Sequence, residues 1–331
     1  MNIPTWVWVV TLSVTMAFLL IDVAVIARRP HVPSMAEAGR HLAFFVGLAV
    51  MFGLGVWYWG GSTYGAQFLA GWLTEYSLSV DNLFIFLIIM AKFGVPERLQ
   101  QTALMIGIVI ALVLRGIFIA LGAALINQFA WVFYLFGAFL IYTAIKLAKE
   151  ATEDDEDDYE ENALLKWVEH RFPATQSWNY GTKLFARENG TRLITPMFIV
   201  ILALGTTDLL FALDSIPAIY GLTREPFLVL TANIFALMGL RQLYFLIGGL
   251  LKRLVYLSIG LAVLLAFIGV KLILHAMHEN TLPFINGGKH IEWAPEIPIG
   301  VSLGAIVVIL AVTTIASLVV SRRQSVARDT V

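Results

Sequence analysis

The sequence predicts an all-α, polytopic membrane protein with about nine transmembrane helices, arranged as two inverted three-helix repeats plus three peripheral helices. Composition gives the class: of 331 residues, 59% are hydrophobic and only 14% charged, whereas soluble domains run at about 25% charged. Mean hydropathy is +0.81. Apolar runs recur along the whole chain, each close to the roughly 20 residues a helix needs to cross the hydrocarbon core. An internal duplication within those runs supplies the third observation.

Two amino-terminal spans, at roughly 5–28 and 41–59, occupy residues 1–66. The first begins at Thr5 with no Lys or Arg before it, so a cleaved signal peptide with a basic leader is not expected and the span should stay. Runs at roughly 67–91, 102–126 and 128–149 form a first three-helix unit, residues 67–149. A long loop follows, residues 150–193, opening on "EATEDDEDDYEE". Such an acidic block repels itself and reads as a solvated spacer. After it, "ALLKWVEHRF" sets Leu164, Trp167, Val168 and Phe172 at near-helical spacing, which predicts a short helix at the membrane surface. Runs at roughly 194–219, 227–250 and 254–277 form a second three-helix unit, residues 194–277. Residues 278–331 then supply an external loop, a ninth span near 298–320 and a basic tail.

Basic residues fall on alternate loops. Arg28, Arg29 and Arg40, then Lys92 and Arg98, then Lys252 and Arg253, then Arg322, Arg323 and Arg328 follow spans one, three, seven and nine. By the positive-inside rule the amino terminus is outside and the carboxyl terminus cytoplasmic, which fits a bacterial-type inner (plasma) membrane. The chain has no cysteine, so disulfides and thiolate metal ligands are excluded.

The duplication is visible within the chain. Span three reads "EYSLSVDNLF" from Glu75 and span six "DLLFALDSIP" from Asp208; Glu75 to Asp208 and Asp81 to Asp214 are each 133 positions apart (208 − 75, 214 − 81). Arg115 answers Arg241, and Lys146 is paired with Lys271. A three-span unit that recurs after one connecting loop must re-enter the membrane from the opposite side. Inverted repeats of this kind build secondary transporters, with the substrate site at the repeat interface near the midplane.

Ionisable groups inside a span cost roughly 2.5–3.5 kcal/mol each on insertion scales, and they mark pathways and relays by default. Glu75, Asp81, Asp208, Asp214, Arg115 and Arg241 all qualify. At 100° per residue, Glu75 shares a face with Ser79 and Asn82, and Asp208 with Ser215; Asp81 and Asp214 lie about 120° round, with Ser77 and Thr207. Pro217 removes one backbone donor and is expected to open span six beside Asp214. Carboxylates, an amide oxygen, hydroxyls and freed carbonyls make a hard-oxygen set, suited to Mg²⁺, Ca²⁺ or Mn²⁺. The metal candidates are therefore Glu75, Asp81, Asn82, Asp208, Asp214 and Ser215, with Ser79 and Thr207 secondary and Arg115 and Arg241 balancing charge. Buried ion pairs that only lock the bundle are the alternative reading of these groups. Lys146, Lys271 and Asp22 sit near span ends, where snorkelling to the interface is the simpler account. In "HAMHEN", His275 and His278 stand three apart beside Glu279, a secondary external metal candidate or ordinary surface groups.

"EYSLSVDNLF", "FALDSIPAIYG", "LTANIFALMGLRQLYFL" and "FIGVKL" resemble the TerC family, named for tellurium resistance, and in particular its longer Alx-type members; the resemblance extends over essentially the whole chain, and the paired VDN and DSIPA motifs are specific to that family. The resemblance implies an inner-membrane exporter of divalent metal, chiefly Mn²⁺, and on matching positions it makes Glu75, Asp81, Asn82, Asp208, Asp214 and Ser215 the ion ligands. Gly205 stands where many relatives carry a glutamate, which implies a site with less negative charge.

The expected partners are a divalent cation, carried as substrate with no resident cofactor, and the lipid bilayer; nucleic acid is not expected. A metal-binding scaffold without transport, recruiting soluble stress-response proteins or supplying secreted metalloproteins, is the alternative. An intramembrane aspartyl protease fits less well, because "LGTTD" before the first aspartate of span six lacks the GxGD pattern and four acids exceed a catalytic dyad.

Overall fold

A computed structural model describes residues 3–28, 34–129, 131–151, 171, 173–175, 177–188, 191–250, 256–280, 282, 285–291 and 293–328. The acidic stretch from Thr152, most of the segment 163–172 read as a surface helix, Lys252 and Arg253 lie outside the described residues, as do the side chains of Asp22 and Asp81.

Polytopic and all-α is what forms. The helices are α1 (Thr5–Arg28), α2 (Met35–Gly60), α3 (Ser62–Lys92), α4 (Glu97–Gln128), α5 (Val132–Glu150), α6 (Pro196–Tyr220), α7 (Pro226–Met238), α8 (Leu240–Leu250), α9 (Leu257–His278) and α10 (Ile299–Arg328). Among the described residues, eight spans are long and apolar enough to cross a membrane, with a shorter apolar stretch at Thr5–Leu19. The seventh expected span is made from two segments, α7 and α8, which meet at Gly239.

Local chemistry sets the ends. Ser34 caps α2 by accepting from the Glu37 amide at 3.2 Å, half of a capping box. Thr195 accepts from the Phe198 amide at 3.4 Å at the start of α6, and Pro196 and Pro226 occupy the first position of α6 and α7, where a missing N–H is harmless. Gly61 joins α2 to α3 with φ of +100°, a conformation glycine alone adopts at no steric cost.

With hydrocarbon as solvent, backbone groups must be satisfied within each helix, and burial is left to sort helices into central and peripheral. Nearly all of α7, and most of α6, is buried. By contrast α1, α2 and α10 turn Trp6, Met51, Trp59, Val312 and Ile315 outward. In the centre α3 runs beside α7, α4 beside α6, and α5 along α9; α2 lies against α3 and α8, and α10 against α3 and α9. The α5–α9 contact is the most extensive and brings backbone against backbone. A Cβ on Gly137 would meet the Gly269 carbonyl oxygen at 2.8 Å, and one on Gly269 would meet that of Gly137 at 2.9 Å.

The loop at 150–193, read above as a spacer, carries folded structure. Strands β1 (Phe185–Glu188) and β2 (Thr191–Ile194) pair antiparallel, flanking Asn189-Gly190 in the sequence, a strong hairpin signal. Four-residue strands are too short for alternation to show against apolar spans.

Candidate functional site

Four central helices each contribute one polar side chain to a single cluster. Arg115, on α4, donates through Nε to Asp208 Oδ2 at 3.2 Å and through an Nη to Oδ1 at 2.9 Å. Asp208 is at mid-length of α6, which lies beside α4. The other Nη of Arg115 pairs with Oε1 of Glu75, on α3. Asn233, on α7, donates to the same Oε1 at 3.0 Å. Each of these residues is at most 1% exposed.

A guanidinium fork matches a carboxylate in geometry as well as charge. Two carboxylates and one guanidinium leave the cluster one negative charge when all three are ionised. Among the described residues, Glu75 Oε2, Asn233 Oδ1, Ser79 Oγ, Thr74 Oγ1 and Ser215 Oγ are buried without a hydrogen-bond partner, the first two on members of the cluster itself. Ser79 is one turn beyond Glu75 on the same face of α3. Orphaned buried oxygens are costly, and a hard cation is the chemical partner such a set fits.

Asp214 does not join this cluster. Its six-residue offset from Asp208 turns it about 120° round α6, and its Oδ1 accepts from Thr143 of α5 at 2.9 Å. Lys146, one turn on from Thr143, acts electrostatically on the same carboxylate. Ser79, Asn82, Thr207 and Ser215 are all buried, as is Arg241 on the first turn of α8. The helix is not opened at Pro217: α6 continues to Tyr220, and Gly221 donates to the Pro217 carbonyl at 2.9 Å. Only the Leu213 carbonyl loses its partner, because proline has no N–H.

Two of these residues escaped sequence reasoning. Asn233 lies mid-span in "LTANIFALM", where a lone amide is the available signal. Thr143 is indistinguishable in sequence from a threonine bonded to its own helix.

Lys271 is half-buried, donates to Ser302 of α10 at 2.9 Å and lines a pocket with Arg224, His275 and Glu296. His275 and His278, at the end of α9, each approach Glu296 at 3.8 Å. Arg224 pairs with both His275 and Glu279 and lies 4.6 Å from the Phe133 ring centroid. Among the described residues, no three His, Asp or Glu side chains are arranged to hold a metal ion.

Residues 60–325 match the model of the integral membrane protein TerC family. The chain belongs to that family. Among relatives of this TerC protein is an uncharacterized membrane protein of Mycobacterium tuberculosis (strain ATCC 25618 / H37Rv), 46% identical over 313 residues, 94% of this chain and 78% of that one. An uncharacterized membrane protein of Myxococcus xanthus is 38% identical over 315 residues, 95% of this chain and 92% of that one. One from Escherichia coli (strain K12), named "Putative membrane-bound redox modulator Alx", is 37% identical over 313 residues, 92% of this chain and 91% of that one. No solved structure matches this TerC protein. The cluster of Glu75, Arg115, Asp208 and Asn233 falls wholly within the matched residues.

Proposed function

We propose that this TerC protein is a secondary transporter that exports a divalent cation, Mn²⁺ on the family resemblance and Ca²⁺ or Mg²⁺ as the other hard-oxygen choices, from the cytoplasm across a bacterial inner membrane. The single observation that carries the reading is the buried pair of carboxylates, Glu75 and Asp208, from two different central helices, bridged by Arg115, with Glu75 Oε2 and the neighbouring Asn233 Oδ1 lacking a hydrogen-bond partner among the described residues. In this reading Arg115 is a tethered cation: it holds the acid pair when no metal is present, and an arriving ion displaces it.

The inverted repeat belongs to the same proposal. If α3, α4 and α5 exchange with α6, α7–α8 and α9, the α3–α7 contact becomes the α6–α4 contact, and α5–α9 maps onto itself. At that last contact the relation is reciprocal: Gly137 meets Ile273, and Gly269 meets Ile141. That pairing offsets the helices by 132 positions (269 − 137, 273 − 141) and moves Lys146 and Lys271 out of register with each other. In this reading Asp214, on the α5 side of α6, serves as a second carboxylate on the route, with the amino terminus outside and the carboxyl terminus cytoplasmic.

Flux through proteoliposomes tests this. Asp208→Asn and Asp214→Asn should each abolish Mn²⁺ flux. Wild-type protein that binds Mn²⁺ but moves none across the bilayer would establish a metal-binding scaffold instead, and normal flux by both variants would remove these carboxylates from the ligand set.

A further inference from the structure

The turn between α6 and α7, residues 221–225, is tied down by contacts that the carboxylate cluster does not need. Thr223, itself buried, donates to Gln67 Oε1 near the start of α3 at 2.8 Å. Arg224 sets its guanidinium 4.6 Å from the centroid of the Phe133 ring, at the start of α5, and Glu279 and His275 at the end of α9 hold it there. Gln67 and Phe133 belong to the first three-helix unit and the turn to the second, so two of these contacts cross between units. Gly221 presses directly on α9: a Cβ there would meet Ile268 at 2.8 Å and Leu272 at 3.1 Å.

Beside these ties lies a pocket of about 550 Å³, to which α3 contributes Gln67, the turn Thr223 and Arg224, and α9 Lys271 and His275. Tyr220 and Leu272 also line it, yet both are buried, and Ile268, one turn before Leu272 on α9, is fully buried. Tyr220, Leu222, Ile268 and Leu272 belong to one apolar cluster, and the Tyr220 hydroxyl pins that layer to α4 by donating to the Ile119 carbonyl at 2.7 Å. Polar side chains therefore give way to a sealed apolar layer within one helical turn.

The matching turn of the first unit, residues 93–96 between α3 and α4, is also tied to the opposite unit. Gln100 of α4 donates to the Val95 carbonyl at 3.0 Å and accepts from Tyr244 of α8 at 3.1 Å. In an inverted repeat the two turns lie at opposite faces of the membrane. Neutral side-chain hydrogen bonds have a modest net strength, which suits contacts that break and re-form in each cycle.

We propose that the α6–α7 turn is the outer gate of the transport route, held shut in this structure by Thr223 on Gln67 and by Arg224 on Phe133. The inference rests on the transporter reading above. Lifting the turn from α3 and α9 parts the apolar layer and joins the pocket to the carboxylates; with both turns tied, the structure is the closed form between the two open ones. Gate movements of this kind are carried by a few loop residues between packed helices.

The chain has no cysteine, so Ile268→Cys supplies a single thiol under the turn. A membrane-impermeant maleimide added outside spheroplasts should label it slowly. Adding Thr223→Val and Arg224→Gln should speed labelling about tenfold, the order expected from losing one hydrogen bond and one exposed cation–π contact. Tyr244→Phe, which removes a bond of the same kind at the other turn, should not speed it. Equal labelling with and without the two ties, or an equal rise in the Tyr244→Phe protein, would overturn the gate. A second measurement bridges Gln67→Cys to Thr223→Cys with a short bis-thiosulfonate reagent, which should stop Mn²⁺ flux in proteoliposomes until the bridge is reduced. Flux that persists through the bridge would overturn the gate and leave the transporter reading standing. Faster labelling of the variant beside a wild type that moves no Mn²⁺ would keep the moving turn and remove the transporter reading.

Discussion

Arg115 bonds both oxygens of Asp208 and, through its remaining Nη, pairs with Glu75. A cation brought to those two carboxylates competes with this guanidinium, which already engages both oxygens of Asp208. Removing one partner of a buried ion pair costs about 3–5 kcal/mol, because it leaves an uncompensated charge. Arg115→Gln should therefore lower the melting temperature of the metal-free protein. Mn²⁺ should restore it by more than it raises that of the wild type, because a ligand that binds only the folded state stabilises with the logarithm of its affinity. Thermal unfolding in detergent with and without Mn²⁺ reads both effects. Equal metal-induced shifts in the two proteins would show that Arg115 and the metal do not compete.

The spans were legible in sequence because hydrocarbon leaves a helix almost no alternative to a long apolar run. The intramembrane charges were legible for the same reason: each costs enough to stand out. What spacing within one helix cannot give is the neighbour a side chain meets. The 120° between Asp208 and Asp214 could be computed, but which arc faces α4 and which faces α5 depends on packing between distant segments. Asn233 costs less to bury than a carboxylate, so it raised no signal until its amide was seen on Glu75.

At the other end of the bundle, burial pushes the Glu279 carboxyl up, but the hydrogen bond and charge of Arg224 outweigh it and hold the group below its usual range. A depressed carboxylate contributes stability above its unfolded value, about 4.3, and loses it as pH falls through the folded value. Both side chains are more than a third exposed, so solvent and salt limit the contribution to roughly 1 kcal/mol or less. Other carboxylates titrate in the same window, and subtracting a Glu279→Gln variant removes them. The wild-type advantage over that variant should shrink as pH drops below about 4 and be smaller in Arg224→Gln protein, where His275 and His278 still act on the carboxylate. A difference that stays constant with pH would show that the pair carries no titrating stability.

The α5–α9 crossing should tolerate little added volume. Backbone oxygen, at 2.8 Å from a Cβ on Gly137 and 2.9 Å from one on Gly269, has no rotamer by which to retreat, so the helices themselves must separate. Overpacking of this kind costs roughly 1–3 kcal/mol, and small residues at a membrane crossing are what let backbones approach. Gly137→Ala and Gly269→Ala should each lower the melting temperature. The double variant should lose less than the sum, because one separation of the helices accommodates both methyls and neighbouring sites couple. Gly116→Ala is the control, as a Cβ there meets nothing within 4 Å, and alanine should be neutral or mildly stabilising in that helix. Strict additivity at Gly137 and Gly269 would mean that the two glycines relax independently and that no shared close contact joins α5 to α9.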